Sequence, residues 1–292
     1  MAMSRLEEAL QEINREKIQL KDEEIKRNNQ LLHEMMEFFI GEFKKDSFFN
    51  SIYERFFFGG SFYDGLKVGK PNEFDIDLVF TLPTAANATI ATHDDHPGFV
   101  QVKVDRNVGT LNDGTLLHIK NIMKWFQGLV DTAKNAMRYH NLNFSVVKTT
   151  VTVGPAITFT IGDKRYGKQF DVDFVPCFKF PSSQWLGNYV RLTEGSVDPN
   201  DQLTKEFLVV PKPRDNYCQT LFRLSFQGQE RLLLEGKGHV KPAIRLLKLY
   251  RDQHTDSPIK SYYLKTLALH ALQDSSFIYK DATLSSVFVQ VT

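Results

Sequence analysis

Hydrophobic positions recur along the chain with two periods, and the switches between them mark out the elements. Residues 4–45 carry apolar side chains at helical spacing, sparse at first (Leu6, Leu10, Ile13) and dense later (Leu32, Met35, Met36, Phe39, Phe43). The pattern predicts one long helix that leaves the body at its start and packs on the core at its finish. Ser4 and Glu7 have the form of a capping box, and Asp22/Lys26 and Glu23/Arg27 are spaced as i,i+4 ion pairs. Residues 52–58 lead into the turn Gly59-Gly60-Ser61, 66–68 read as a short strand, and 69–72 as a turn. Over 74–82 the chain alternates, with Phe74, Ile76 and Leu78 on one face and Glu73, Asp75 and Asp77 on the other. Residues 83–99 are polar and loop-like, and 100–104 alternate as a strand.

The second half repeats the logic. A helical period runs through 113–140 (Leu116, Ile119, Met123, Phe126, Val130, Met137), and strands are predicted at 146–153 and 156–161. A hairpin turn at 162–167 precedes a second acidic strand at 170–176. There Asp171 and Asp173 share a face opposite Val172 and Phe174. In an antiparallel sheet this strand can lie beside the first acidic one and add a carboxylate to it. From Trp185 the pattern turns helical, interrupted by strand-like 207–210 and by the alternation of 222–226. A helix over 240–252 turns Ile244, Leu247 and Tyr250 inward and strings Lys241, Arg245 and Lys248 along its length. Another, over 258–271, points Leu264, Leu267 and Leu269 at the core. The expected class is α+β and bilobal. A mixed, twisted sheet lobe (1–180, with the first helix as a bridge) is followed by a helical lobe (181–292).

The acidic strands and the glycine turn suggest chemistry. Gly60-Ser61 offers backbone N–H groups and a hydroxyl at a helix start, which suits a triphosphate. Carboxylates crowded on one face repel unless a divalent cation sits among them, and oxygen-only ligands suit magnesium or manganese. A phosphate cradle beside such a cluster points to phosphoryl or nucleotidyl transfer. Each half alone is weaker: Gly-Gly-Ser is commonly a loop, and an alternating acidic strand is commonly a solvated edge. His93, Asp94, Asp95 and His96 have metal-binding side chains, but they fall in a polar stretch and read as a surface loop.

Composition narrows the picture little. The 292 residues are 42% hydrophobic and 24% charged, as expected for a soluble globular chain, and the 24 phenylalanines should be core. Net charge is +1, so any polyanion surface must be a local patch. Cys177 and Cys218 match no zinc spacing and read as reduced thiols, consistent with a cytoplasmic location. No long apolar run, signal peptide or internal repeat is expected from the pattern.

Several motifs in order carry a resemblance: Gly59-Gly60-Ser61, Pro71-Asn72-Glu73-Phe74-Asp75, Val172-Asp173, Phe222-Arg223-Leu224-Ser225-Phe226, Ile244-Arg245-Leu246-Leu247-Lys248 and Ser261-Tyr262-Tyr263-Leu264-Lys265-Thr266. Over about residues 35–275 the chain resembles the cyclic GMP-AMP synthase-like receptors, a branch of the template-independent nucleotidyltransferases. The resemblance implies that Gly60 and Ser61 hold the donor triphosphate. Glu73, Asp75 and Asp173 would be the catalytic carboxylates and the ligands of two Mg²⁺ or Mn²⁺ ions, with Asp173 also acting on the attacking hydroxyl. Asp77 and Asp171 share those faces without matching ligand positions. Arg223 and Ser225 match nucleobase contacts, Lys248 and Ser261 phosphate contacts, and Tyr262 a stacking platform. Lys265 completes the nucleotide-binding motif. For Arg223 a structural ion pair, and for Tyr262 a core aromatic, remain alternatives.

The vertebrate DNA sensor of this family has a His/Cys zinc insertion after the Arg-Leu-Ser segment. Here residues 227–247 hold His239 and no cysteine, so no such zinc site is expected. The zinc-lacking insect receptors resemble this chain more closely, which implies duplex RNA as activator in preference to DNA. Lys26, Arg27, Lys44, Lys45, Lys241 and Arg245 are its candidate contacts. The implied activity is the joining of ATP and GTP into a cyclic dinucleotide, a second messenger of antiviral signalling, with no membrane partner. A catalytically silent RNA-binding module of the same fold and an enzyme making linear oligonucleotides are the alternatives.

Overall fold

The computed structural model describes every residue except 1, 20–21, 93–94, 152–153, 185–197, 199, 214, 216–217, 255–257, 275 and 292. The stretch beginning at Trp185 and the His93/Asp94 half of the His/Asp cluster lie outside the described residues. The chain opens with α1 (Ala2–Ile13) and α2 (Asp22–Phe43), then α3 (Ser47–Ile52), β1 (Tyr53–Gly59), the single turn α4 (Gly60–Tyr63) and β2 (Glu73–Phe80). Strands β3 (Thr89–Thr92), β4 (Phe99–Lys103), β5 (Asn112–Asp113) and β6 (Leu116–Leu117) precede α5 (Ile119–Ala136). After it come β7 (Phe144–Val151), β8 (Ile157–Asp163), β9 (Gln169–Pro181), β10 (Glu206–Val210) and β11 (Phe222–Ser225). Four helices close the chain: α6 (Gln227–Leu234), α7 (Val240–Asp252), α8 (Ser261–Ala271) and α9 (Leu284–Val291). Among the described residues no helix is long and apolar enough to cross a membrane.

All the strands join one mixed sheet whose main path is β1-β2-β9-β10-β11-β4-β6-β5, with β8 also on β9, β7 on β8, and β3 on β4. The two acidic strands are neighbours, but they pair parallel, with Asp75 opposite Asp173 and Glu73 opposite Asp171. The antiparallel expectation fails because β2 and β9 are joined by a long crossover that includes α5, the kind of connection that brings strands back parallel; β8 and β10 share the other edge of β9. The sheet also continues past the expected lobe boundary near 180, through β10 and β11. Residues 66–68 form no strand, and the polar 83–99 stretch contains β3, which pairs with β4.

The even positions of β2 are completely buried against α2 and α5 in an aromatic core. Phe39 of α2 lies 4.9 Å from Phe159 and 5.9 Å from Phe174, ring centre to ring centre. The dense end of the first helix therefore packs as predicted. Its start does not leave the body. A π-turn (Asn14–Ile18) ends at extended Gln19, and the long helix is two. Leu10 and Ile18 are buried in a second core with α7, α8 and α9, where Glu7 accepts the backbone N–H groups of Leu284 (3.3 Å) and Ser285 (2.6 Å). Glu7 caps α9 because α1 begins at Ala2, ahead of the supposed Ser4 cap. Arg27 pairs with Glu24 at 3.6 Å, not with Glu23. On α7 and α8, Tyr250 and Leu267 point to solvent; the buried face of α8 runs through Leu264, Lys265, Ala268 and Leu269.

The odd positions of β2 face the other way, and beyond Asp75 that face closes over. Asp77 is 2% exposed, beside the small cluster of Val79, Cys177, Leu208 and Val210. Burial, then the charge of Asp75, pushes its carboxyl up to about 7, against a hydrogen bond from the Cys177 thiol. No partner satisfies its Oδ2 among the described residues.

Replacing Phe39 by Ala is expected to cost about 3–5 kcal/mol in chemical denaturation, since it opens a cavity among the five rings that pack on it. Asp77 gives a pH signature. Its carboxyl titrates near 3.8 when unfolded and about 7 when folded, so stability is lost as pH rises through that window and stays low above it. Asp77→Asn cannot ionise. Its melting temperature is expected to exceed that of the wild type by a margin that grows from pH 4 to 7, measured with a chelator present.

Candidate active site

The site begins at the end of β1. Gly60 has φ +69°, a left-handed conformation that turns the strand directly into α4. A Cβ on Gly60 would collide with the Asp75 carboxylate and stand 2.9 Å even from its Cβ. The turn and the acidic strand are thus in van der Waals contact through glycine. A Cβ on Gly59 would strike the Gln227 Oε1 at the start of α6, which has no hydrogen-bond partner among the described residues. Ser61 follows on the first turn of α4, beside these groups.

Below the turn, the β2–β9 register puts Asp75 and Asp173 side by side, with Glu73 and Asp171 as the next pair outward on the same face. Thr158 of β8 donates to Asp173 at 2.5 Å, and Thr160 to Asp171 at 2.7 Å. Burial, then Asp173 and Glu73, raises the Asp75 carboxyl to about 6, against the pull of Lys67. Burial also raises Asp173, with Glu73 and Asp171 adding to the shift and the Thr158 hydrogen bond opposing it. Such mutual repulsion is what a hard divalent cation relieves, and the all-oxygen donor set suits magnesium or manganese better than zinc. No ready-made cage of three such ligands occurs among the described residues. The Glu73 carboxylate is turned to Lys67, whose Nζ lies 2.6 Å from Oε2. The donor chemistry fits the ions; Glu73 is engaged elsewhere.

The helical side supplies the other expected residues. Arg223 of β11 lies over the Tyr262 ring, 5.5 Å from its centre, and Ser225 is two residues along the same strand. The Tyr262 hydroxyl donates to Glu230 at 2.8 Å, and burial pushes its pKa up to about 12. Ser261 accepts from Arg251 at 2.9 Å. Lys248 is buried, donates to the Leu66 carbonyl at 2.7 Å, and is lowered by that burial to about 8, with Arg251 and Lys67 adding to the shift. Lys265 is bound to Asp64 (2.6 Å) and Glu230 (2.8 Å).

The polyanion candidates divide into groups. Lys26 and Lys44 stand 18 residues apart, about five turns or ~27 Å of helix, so they emerge on one side of α2 and its C-terminal extension. Arg27 covers Tyr166 and Lys44 covers Tyr53, while Lys45 pairs with Glu42 at 2.6 Å. Lys241 and Arg245 lie on α7, where burial lowers the Arg245 guanidinium. The motif reading missed Lys67, Asp64, Gln227, Glu230 and Thr158. It also missed Lys212, lowered by burial and by the nearby charges of Arg223 and Lys260. Of these, Lys67 and Lys212 were detectable only as unexplained cations between motifs, and the others carry no local signal.

Comparison with known proteins gives the family. The Mab-21 protein nucleotidyltransferase domain matches residues 62–236. A cyclic GMP-AMP synthase-like receptor of Aethina tumida is 37% identical over 97% of this chain and 76% of its own length. Those of Tribolium castaneum and Nicrophorus vespilloides are 32% and 34% identical over 97% and 95% of the chain, covering 77% and 78% of their lengths. With its acidic strands paired in register beneath a glycine turn, the chain belongs to the Mab-21 nucleotidyltransferase family and, within it, to the cyclic GMP-AMP synthase-like receptors.

Proposed function

We propose that this nucleotidyltransferase is switched on by double-stranded RNA and joins ATP and GTP into a cyclic dinucleotide. The observation that supports it most directly is the contact of Gly60 with Asp75, and of Asp75 with Asp173 across the parallel pair. This brings the glycine turn and the carboxylate cluster within one side chain's reach. Glu73, Asp75 and Asp173 are the residues that would hold two Mg²⁺ or Mn²⁺ ions. When bound, these supply Lewis acidity to the attacking sugar hydroxyl and to the departing pyrophosphate.

The chain's own residues do the rest. The N–H groups of the Gly60-Ser61 turn and the Ser61 hydroxyl hold the donor phosphates. Asp173, kept in one rotamer by Thr158, takes the proton of the attacking hydroxyl. A new bond from that oxygen to the α-phosphorus forms as pyrophosphate leaves. Tyr262 offers a stacking face backed by Arg223, and Ser225 a hydroxyl for the base edge. The linear intermediate then rebinds and the same groups close the ring. Lys26 on α2 and Lys44 just past its end follow a duplex backbone, and the duplex is read through charge and shape, without base contacts. The relatives' name, cyclic GMP-AMP synthase-like receptor, is in keeping with a cyclic product and a bound trigger.

The test is incubation with all four nucleoside triphosphates and Mg²⁺ or Mn²⁺, with and without duplex RNA or DNA, and chromatography of the products. A cyclic dinucleotide dependent on RNA is expected. Linear products, or equal stimulation by DNA, would overturn the proposal in that respect. Glu73→Ala with Asp75→Ala should abolish product and leave duplex RNA binding in a gel-shift assay largely intact. Gly60→Ala forces the turn away from Asp75, and a displacement of that size is expected to lower turnover by about a hundredfold with unchanged circular dichroism.

A further inference from the structure

Behind the phosphate turn lies a cluster of four charges, three of them buried, that the proposed reaction does not use. Asp64 caps the end of α4, three residues past Ser61, and is 3% exposed. Its carboxylate accepts from Lys265 of α8 at 2.6 Å and from Arg231 of α6 at 3.3 Å. Lys265, 7% exposed, also lies 2.8 Å from Glu230, which is 3% exposed. Glu230 in turn holds the Tyr262 hydroxyl. Arg231 reaches the Phe58 carbonyl at the end of β1 and stacks on Phe57, 4.4 Å from its ring centre. Two cations and two anions thus form a continuous chain of contacts from the glycine turn to the aromatic platform.

We infer that Lys265 is a strut between these two parts of the site and not a phosphate ligand. Resting on the proposed nucleotide chemistry, this makes Glu230, Lys265 and Asp64 positioning residues that set the distance from the Ser61 turn to the Tyr262 ring. Both oxygens of Asp64 are taken by protein cations, and Lys265 faces a carboxylate on each side. Pulling its ammonium toward a phosphate would leave Glu230 charged and buried without a cation, a large penalty in so enclosed a place. The cluster also makes the two ends of one nucleotide interdependent. A base that displaces Tyr262 shifts Glu230 and Lys265, and through Asp64 the start of α4.

Paired variants separate a strut from a ligand. Lys265→Met alone strands Glu230, and both the melting temperature and the affinity for a fluorescent ATP analogue are expected to drop, the affinity by at least about tenfold. Lys265→Met with Glu230→Gln removes one charge of each sign, keeps the Asp64–Arg231 pair, and leaves Tyr262 an acceptor. It is expected to return to within about threefold of wild-type affinity, with its melting temperature restored. A double variant that regains stability and still binds as poorly as Lys265→Met would make Lys265 a phosphate ligand and overturn the inference. So would Lys265→Met binding and melting like the wild type. If the wild type itself binds no nucleoside triphosphate, the functional reading fails first, and the melting temperatures alone then decide whether the cluster is a strut.

Discussion

The structure depends on one strand pairing. β2 and β9 run parallel in a register that sets Asp75 against Asp173 on one face and Phe74 against Val172 on the other. A slip of one residue would bury the carboxylates in the aromatic core and put its phenylalanines into the cleft. The hydrophobic side therefore enforces the acidic side. The rings gathered around Phe39, Phe159 and Phe174 fix the register, and the register collects charges that no other force would assemble. Burial and mutual repulsion then raise Asp75 and Asp173, so the site holds electrostatic strain that the core can sustain.

The acidic face is also graded in depth. Glu73 is exposed and engages Lys67, Asp75 is half-covered by Gly60, and Asp77 is sealed beside Cys177. Three carboxyls at equal spacing on one strand thus stand in three environments. The outer two can exchange partners with solvent and ligand, while burial and the charge of Asp75 raise the innermost to about 7. Alternation along β2 reveals the shared face but carries no information about this gradient, which comes from the strands and helices that cover it.

Legibility in the sequence followed the same division between local and distant causes. The α+β class, both acidic strands, α5, α7 and the dense half of α2 were readable because each depends on a period within its own residues. Gly60 was readable as a turn, though not as the residue on which Asp75 rests. The parallel pairing was not readable, since nothing within residues 170–176 states how the chain returned to β2. The break at Gln19 escaped notice because Leu6, Leu10 and Ile13 keep a helical period right up to it. Lys265 read as a nucleotide-binding residue by motif. Its partners Asp64 and Glu230 come from α4 and α6, and only folding brings them to it.

The packing of α1 has a consequence for assembly. Leu10 and Ile18 share the second core with Leu284 and Val287, and Glu7 binds the first N–H groups of α9. That core is closed by segments 277 residues apart in sequence, contacts of the kind that slow folding. During synthesis the β1-β2-β9-β8-β7 part of the sheet can form against α2 and α5 once β9 has emerged from the ribosome, and β10 and β11 then join β4 and its neighbours to it. The helical core is complete only once α9 follows, and until then the apolar stripe of α1 lacks one of the surfaces on which it settles.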